Sequence, residues 1–545
     1  MTDQFSPEER AALSPYFTNL DGPVFALVNL PEVVKGALFA RYSRSPKSLR
    51  RLFLDEFLNT GVAPRANRGG VGGGISPPLT STEEAERETG RARAEDLYGR
   101  MFFEYGDDSV AQLGGAHLAC EGASNLLTKV LEWGRLAAYL EQSTRYVPYD
   151  DLVGGHYRYH VPGELEGDLR DRYVRTLDAM FDTYCELLPI LREHLSGRFP
   201  KNQQTSDAAY RMSIRAKALD TLRGLLPAAT TSNVGIYGTG QAYENLLLRM
   251  RAHPLLEVRA YADLMLAELR KVIPAFLRRV DLPDRGTAWS SYLSETRQET
   301  ARVAAELLPE DAVVPRDEVT LTDFDPEGEV KVVAAALYAV SDAPDDRLLD
   351  VARKLTEDER RAVLAAYVGR RTNRRHRPGR AFERTSYRFD VLADYGAFRD
   401  LQRHRLLTLE WQRLSPRHGS VMPEAIAEAR VDARWHRSLD ASAALHDAIA
   451  AAGLAEVAPY AVAMAYRVRF YMEMNAREAM HLIELRSAPQ GHPAYRRIAQ
   501  TMHRLIAERA GHRALAAAMT FADHSEVALE RLEAERAAER RRGGR

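Results

Sequence analysis

Three groups of residues in this chain have types and spacings suited to chemistry. Glu141, Ser143 and Arg145 alternate at i, i+2, i+4. In extended backbone they present an acceptor, a hydroxyl and a guanidinium to one side. That set suits a phosphate monoester, and it also suits a polar strand edge. Arg403, His404 and Arg405 stand in succession. At the end of a helix they fan outward, and either an anionic partner or the negative pole of the helix accounts for them. Asn475 and Arg486 lie eleven residues apart. That is close to three helical turns, so the two share one face of a helix predicted over 475–486. There is no convincing Cys-His or Ser-His-Asp arrangement, so no protein nucleophile is expected.

The first two groups belong to one motif that occurs twice. The first half reads Trp133-Gly134-Arg135, seven residues, then Ser143-Thr144-Arg145-Tyr146. The second reads Arg403-His404-Arg405, seven residues, then Arg413-Leu414-Ser415-Pro416. Superimposed, they rebuild Arg-His-Arg, seven residues, Ser-x-Arg-Tyr. This pattern resembles the signature of the flavin-dependent thymidylate synthases. A second likeness supports it: Asn475, Arg477, Leu485-Arg486 and His492 follow the family's Asn-x-Arg helix, its closing Leu-Arg and the His beyond. In a third, Arg223 precedes a Leu-Pro turn at Leu226-Pro227, where the family places a phosphate- or base-contacting Arg.

The resemblance implies roles. Glu141, Ser143, Arg145 and Arg223 would line the dUMP cradle, completed by Arg403 and Arg486. Arg403, His404, Arg405, Asn475 and His492 would hold FAD. Arg486 and Arg403 would be the catalytic pair, stabilising charge on the uracil carbonyls. The first repeat keeps the nucleotide side and the second keeps the flavin side, so the losses sort by role and imply one composite site. The implied reaction is reductive methylation of dUMP to dTMP, with methylenetetrahydrofolate and NADPH as co-substrates. A diverged homologue that binds flavin or nucleotide without catalysis is the alternative. The family's His-rich segment survives only as His376 and Phe382-Glu383. The basic run at 370–384 reads as a flavin or folate contact, or as a solvated loop. The implied fold is α+β: two tandem repeats, residues 1–315 and 316–545, each a small mixed sheet with surrounding helices. Two chains would form a homodimer that mimics the family's tetramer.

These residues need elements to position them. Apolar periodicity predicts a strand at 115–123 and a helix at 125–141, the latter from Leu126, Val130, Leu131 and Leu136. Further helices are predicted at 33–42, 168–195, 206–225 and 241–270. Residues 63–78 read as a glycine-rich mobile loop, and 83–105 as a charged helix. The acidic, proline-bearing stretch at 309–329 reads as the link between repeats. In the second repeat a strand is predicted at 385–392, since Tyr387, Phe389 and Val391 alternate with Arg388 and Asp390. Helices are predicted at 395–405, carrying Arg403-His404-Arg405 at its end, and at 422–452, 459–486 and 494–510. Residues 526–545 read as a frayed tail.

Composition narrows the function class. The 545 residues exceed one compact core, and the net charge of −1 gives no global field for nucleic acid. Two cysteines, Cys120 and Cys185, form neither a disulfide framework nor a four-cysteine metal site. No metal, membrane or nucleic-acid partner is expected, and a cytoplasmic location is the default.

Overall fold

Each repeat is built from strands that run directly into helices, and a capping side chain marks every such junction. Strand β1 (Gly115–Ser124) enters helix α1 (Asn125–Leu131), where the Ser124 side chain accepts from the Leu127 amide. Strand β2 (Ala137–Glu141) and helices α2 (Gly167–Arg198) and α3 (Asp207–Leu222) follow. Strand β3 (Thr231–Thr239) enters α4 (Gly240–Arg251), capped by Thr239, and α5 (Leu256–Val272) and α6 (Ala288–Leu307) complete the repeat. In the second repeat a leading strand, β4 (Val319–Phe324), has no counterpart among the described residues of the first. Strand β5 (Ser386–Asp394) then enters α7 (Tyr395–Leu401), capped by Asp394. After β6 (Thr408–Trp411) and α8 (Asp432–Ala451), strand β7 (Arg467–Asn475) enters α9 (Ala476–Arg486), capped by Asn475. Helix α10 (Pro493–Glu508) is capped by His492. Ser, Thr, Asp and Asn are strong caps because their short acceptors reach the free amides of the first turn.

The chain is seen in a computed structural model. It describes residues 4–308 and 314–540 except 23, 24, 26, 33, 36, 37, 39–46, 59–111, 146, 204, 528, 530, 531, 533, 534 and 537–539. The predicted loop at 63–78, the charged helix at 83–105, most of the predicted helix at 33–42 and part of the tail at 526–545 lie outside the described residues.

Strand order is β1-β3-β2 in one sheet and β4-β5-β7-β6 in the other. With β4 set aside, the order is the same in both, as a tandem repeat requires. The four-stranded sheet is antiparallel throughout. Its inner face buries Tyr387, Phe389 and Val391 of β5 and Val468, Phe470, Met472 and Met474 of β7. Its outer face carries cross-strand ion pairs, Arg388 with Glu473 at 2.7 Å and Arg469 with Asp390 at 2.7 Å.

Packing divides the chain into two compact units. The first comprises Met1–Cys120, Gly134–Leu140 and Val234–Leu307. Within it, Tyr243 is buried and donates to the Ala116 carbonyl. Phe276 packs where a Cβ on Gly114 or Gly240 would come within 2.4 and 2.5 Å, so only glycine fits there. The second unit comprises Glu121–Trp133, Glu141–Asn233 and Leu308–Arg545, and so draws on both repeats. It contains every site residue expected from the sequence.

Several predicted elements differ. The helix expected at 125–141 stops at Leu131, because Gly134 breaks it, and 137–141 is a strand with Leu140 exposed. The helix at 241–270 is two helices, parted at His253-Pro254, where proline bars continuation. The expected link at 309–329 contains β4, whose Val319 and Leu321 are buried against β5. The helix at 395–405 ends at Leu401, so Arg403-His404-Arg405 follow it in a turn. Arg430 adopts a positive φ of 58° and breaks the helix at 422–452. The helix at 459–486 conceals β7: its Val468, Phe470, Met472 and Met474 alternate in burial, although the run is rich in helix-favouring Met, Arg and Glu. Asn475 therefore ends a strand and caps α9 instead of lying on a helical face with Arg486.

Candidate functional site

In the second unit, side chains from the two repeats interlock through buried charge. Glu141, at the end of β2, is completely enclosed and holds three cations. Arg399 Nη2 lies 2.7 Å from Oε1, Arg403 Nη2 2.6 Å from Oε2, and Lys129 Nζ 3.4 Å from Oε2. These cations hold its carboxyl far below the usual range despite burial. Arg145 forks onto Asp220, with Nε 2.7 Å from Oδ1 and Nη2 2.5 Å from Oδ2, and its Nη1 donates to the Tyr495 hydroxyl at 3.1 Å. The Ser143 hydroxyl accepts from the Arg145 amide and braces the turn. Arg223 Nη1 reaches Asp400 at 3.1 Å, and its Nη2 is buried without a hydrogen-bond partner among the described residues.

The residues after α7 point in three directions: Arg403 is half-buried on Glu141, His404 is buried and Arg405 is exposed. Arg486 Nε donates to His404 Nε2 at 3.0 Å, which assigns the ring proton to Nδ1, 3.0 Å from Glu478. Burial, with Arg486 beside it, pushes His404 well below the ordinary histidine range, so the ring is neutral. Arg486 also lies over the Tyr495 ring, 5.4 Å from its centroid. Among the described residues no carboxylate forms an ion pair with it. His492 caps α10 and its Nε2 lies 3.4 Å from the Asp220 carbonyl.

The structure thus joins Glu141 to Arg403, Arg145 through Tyr495 to Arg486, and Arg486 to His404. Arg223 enters through Asp400, and His492 touches Asp220. Ser143 and Asn475 have local bracing and capping roles. The basic run at 370–384 is more than a solvated loop: the Arg371 side chain is buried and forks onto Glu484 at 2.6 Å. Arg377 donates to His481.

A cavity of about 720 Å³ opens beside this network, lined by Asp220, Arg223, Gly224, Asp394, Trp435 and His492, among others. Trp435 is fully buried, and among the described residues neither its indole N–H nor Arg223 Nη2 has a hydrogen-bond partner, so two donors of wall residues are unmet. Gly224 lets the wall close: a Cβ there would lie 2.8 Å from Trp435 and 3.1 Å from Ala465. Gly224→Ala is expected to cost about 1–3 kcal/mol through overpacking. A urea midpoint within error of wild type would show the wall to be pliable.

Sequence reasoning missed Asp220, Asp400, Arg399, Tyr495, Glu478 and Trp435. One signal was present, since Asp220 and Asp400 each stand three residues before Arg223 and Arg403. That is a neighbour spacing on a helix.

Glu478 gives a pH prediction. Burial pushes its carboxyl up to about 7. The folded state therefore holds this proton more tightly than the unfolded chain, and the associated stability is full below about 4.5 and lost as pH rises through 7. Glu478→Gln is expected to match wild type at pH 5 and to exceed it by about 1–3 kcal/mol at pH 8. Urea midpoints at both pH values check this, and a variant weaker than wild type at pH 8 contradicts it.

With the geometry in place, comparison with known proteins is decisive for the family. A family model described as thymidylate synthase complementing protein matches residues 76–275 and 320–510. The chain belongs to the flavin-dependent thymidylate synthase family. A protein of Chlamydia muridarum named UPF0159 is 40% identical over 534 residues, 97% of this chain and 98% of the relative. A UPF0159 protein of Thermoplasma acidophilum is 31% identical over 84% of this chain and 95% of its own length. A flavin-dependent thymidylate synthase of Mycobacterium sp. (strain JLS) is 31% identical over 182 residues, 33% of this chain and 67% of that protein. Among solved structures, a UMP/dUMP methylase, PolB of Streptomyces cacaoi, bound with 5-Br dUMP, aligns with a TM-score of 0.29. It is 20% identical over 36% of this chain and 94% of that chain, a likeness too distant to bear on function.

Proposed function

We propose that this member of the family methylates dUMP to dTMP at one composite site in its second unit, with FAD, NADPH and methylenetetrahydrofolate. The observation that carries this reading is the convergence of arginines from both repeats with donors left unmet. Among the described residues Arg223 Nη2 and Arg403 Nε are buried without hydrogen-bond partners, and Arg486 is half-buried with no carboxylate ion pair. Desolvated guanidinium donors of this kind call for anionic or carbonyl acceptors. A nucleotide phosphate, uracil carbonyls and a flavin, with its ring carbonyls and pyrophosphate, are all acceptors of that type, so the donor set fits both ligands.

In this reading Arg223 and Arg145 fix the phosphate; Ser143 braces the Arg145 turn and the enclosed Glu141 holds Arg403 in position, so neither is placed on the phosphate itself. Arg486 and Arg403 face the uracil carbonyls and offset charge that develops there. Arg403, Arg405 and Asn475 would hold FAD, while His404 and His492, whose ring nitrogens already have protein partners, set the positions of Arg486 and α10. Bound flavin, reduced by NADPH, supplies the hydride that completes the methyl group. A second reading, nucleotide or flavin binding without turnover, is favoured by one observation: the Arg145 fork is already occupied by Asp220.

The test is the visible spectrum of the purified protein, followed by anaerobic addition of dUMP and methylenetetrahydrofolate to the dithionite-reduced form. Flavin bands with dUMP-dependent reoxidation and dTMP formation support the enzyme. Binding of FAD or dUMP without dTMP supports the second reading. A colourless protein that binds neither ligand overturns both. Pairing of two chains into a family-like assembly belongs to the same proposal, and light scattering that gives a monomer mass would remove it.

A further inference from the structure

A separate groove lies between α2 and α8 in the second unit, lined by none of the residues assigned to the composite site. Its volume is about 550 Å³ and its lining includes Arg172, Arg175, Arg434, Arg437, Ser438 and Met180. The two helices run antiparallel: Arg172 Nη2 donates to the Ala444 carbonyl at 3.1 Å, and Arg434 approaches Glu186 at 3.6 Å. Each helix contributes two arginines spaced i, i+3, which places them one turn apart on the same face. In that register Arg175 and Arg437 are offset by roughly six residues, about 9 Å along the axis at 1.5 Å per residue. The arginine pairs therefore stand at opposite ends of the groove. Thr176, Ala179, Met180 and Ala441 lie between them, and Thr183 stands beside the Arg434/Arg437 end.

Charge in the groove is unbalanced. Four guanidinium groups face one carboxylate, Glu186. Arg175 and Arg437 form no hydrogen bond or ion pair among the described residues. Ser438 supplies an independent sign: it is 6% exposed, lines the groove, and its buried hydroxyl has no partner among the described residues. A chain of net charge −1 gains nothing from such a patch as a general nucleic-acid field. Forked donors at both ends match an extended anion with phosphate oxygens at each end.

We infer that this groove binds a linear phosphoanhydride anion, either an inorganic polyphosphate or the polyphosphate of a nucleotide. The probes are inorganic tripolyphosphate, ATP, dUMP and a single-stranded oligonucleotide, titrated calorimetrically into the full chain at physiological ionic strength. The double variant Arg175→Gln/Arg437→Gln changes exposed side chains, and circular dichroism checks that it folds. Tripolyphosphate is expected to bind wild type and to lose at least about tenfold in affinity in the variant, with dUMP binding unchanged. ATP binding tighter than tripolyphosphate would identify the nucleotide as the source, and equal affinity would identify inorganic polyphosphate. The inference fails if tripolyphosphate does not bind, if the variant binds it as well as wild type, or if dUMP displaces it. It also fails if the oligonucleotide binds more tightly than either probe. Because dUMP is read separately, failure here and failure of the proposed function are distinguishable.

Discussion

Glu141→Ala is expected to destabilise the second unit by about 3–5 kcal/mol, more than Gly224→Ala costs at the cavity wall. The carboxylate is wholly enclosed and bridges Arg399, Arg403 and Lys129. Lys129 keeps Glu132 at 2.6 Å, and Arg403 reaches solvent with a third of its side chain. Among the described residues Arg399 keeps only the Met464 sulfur as a hydrogen-bond partner, with its side chain 4% exposed. The dominant cost is therefore an uncompensated buried guanidinium rather than a lost contact. Natural domains hold about 5–15 kcal/mol in total, so the loss would populate the unfolded state visibly. The double variant Glu141→Ala/Arg399→Met should recover most of it, because an apolar side chain replaces the stranded charge. Urea denaturation of the three proteins gives the comparison; a loss under about 1 kcal/mol for Glu141→Ala would refute the stranded-charge explanation. The pH dependence has a definite sign. Glu141 titrates below its unfolded value, so its contribution is complete above about 4.5 and declines as pH falls toward the folded value. Acid should therefore weaken wild type more than the Glu141→Ala/Arg399→Met protein.

Under the proposed function, Arg486→Ala is expected to reduce dTMP formation by about 10²–10³-fold, the range for losing one preorganised donor to developing charge. At 1.4 kcal/mol per decade this is about 3–4 kcal/mol of barrier. The effect should fall on kcat more than on KM, since the contact strengthens as charge develops. Arg486→Lys should rescue little, because an ammonium cannot reproduce the planar fork. A second readout separates this role from a structural one. Arg486 is one of the cations that hold His404 below its ordinary range. Its removal should move the His404 titration upward, which NMR of the ring protons follows. Turnover within about threefold of wild type would remove Arg486 from the chemistry.

Much of this protein was legible in its residues. The two broken copies of one motif announced the tandem repeat, and the family match over both segments agrees with it. Strand β5 was visible because Tyr387, Phe389 and Val391 alternate with charged neighbours, and one face of an antiparallel strand meets the core. Strand β7 was hidden by its Met, Arg and Glu, residues with helical leanings that sheet packing overrode. The helix start at Asn125, behind the Ser124 cap, was legible, but the end of that helix was misjudged because Gly134, rather than periodicity, decided it. Glu141, Arg145, Arg403 and Arg486 could be nominated from type and spacing, and Arg223 from the family resemblance, since charged side chains at such spacings stand out in the sequence whatever surrounds them. Their partners could not be nominated, because ion pairing depends on distance in space. Glu141 and Arg403 are separated by 262 positions, and Arg145 and Tyr495 by 350. Only the tertiary fold brings such groups into one low-dielectric interior, where each charge needs a partner. There it decided that Asp220 and Asp400 engage the arginines, and that the Arg223 and Trp435 donors stay unmet at the cavity wall.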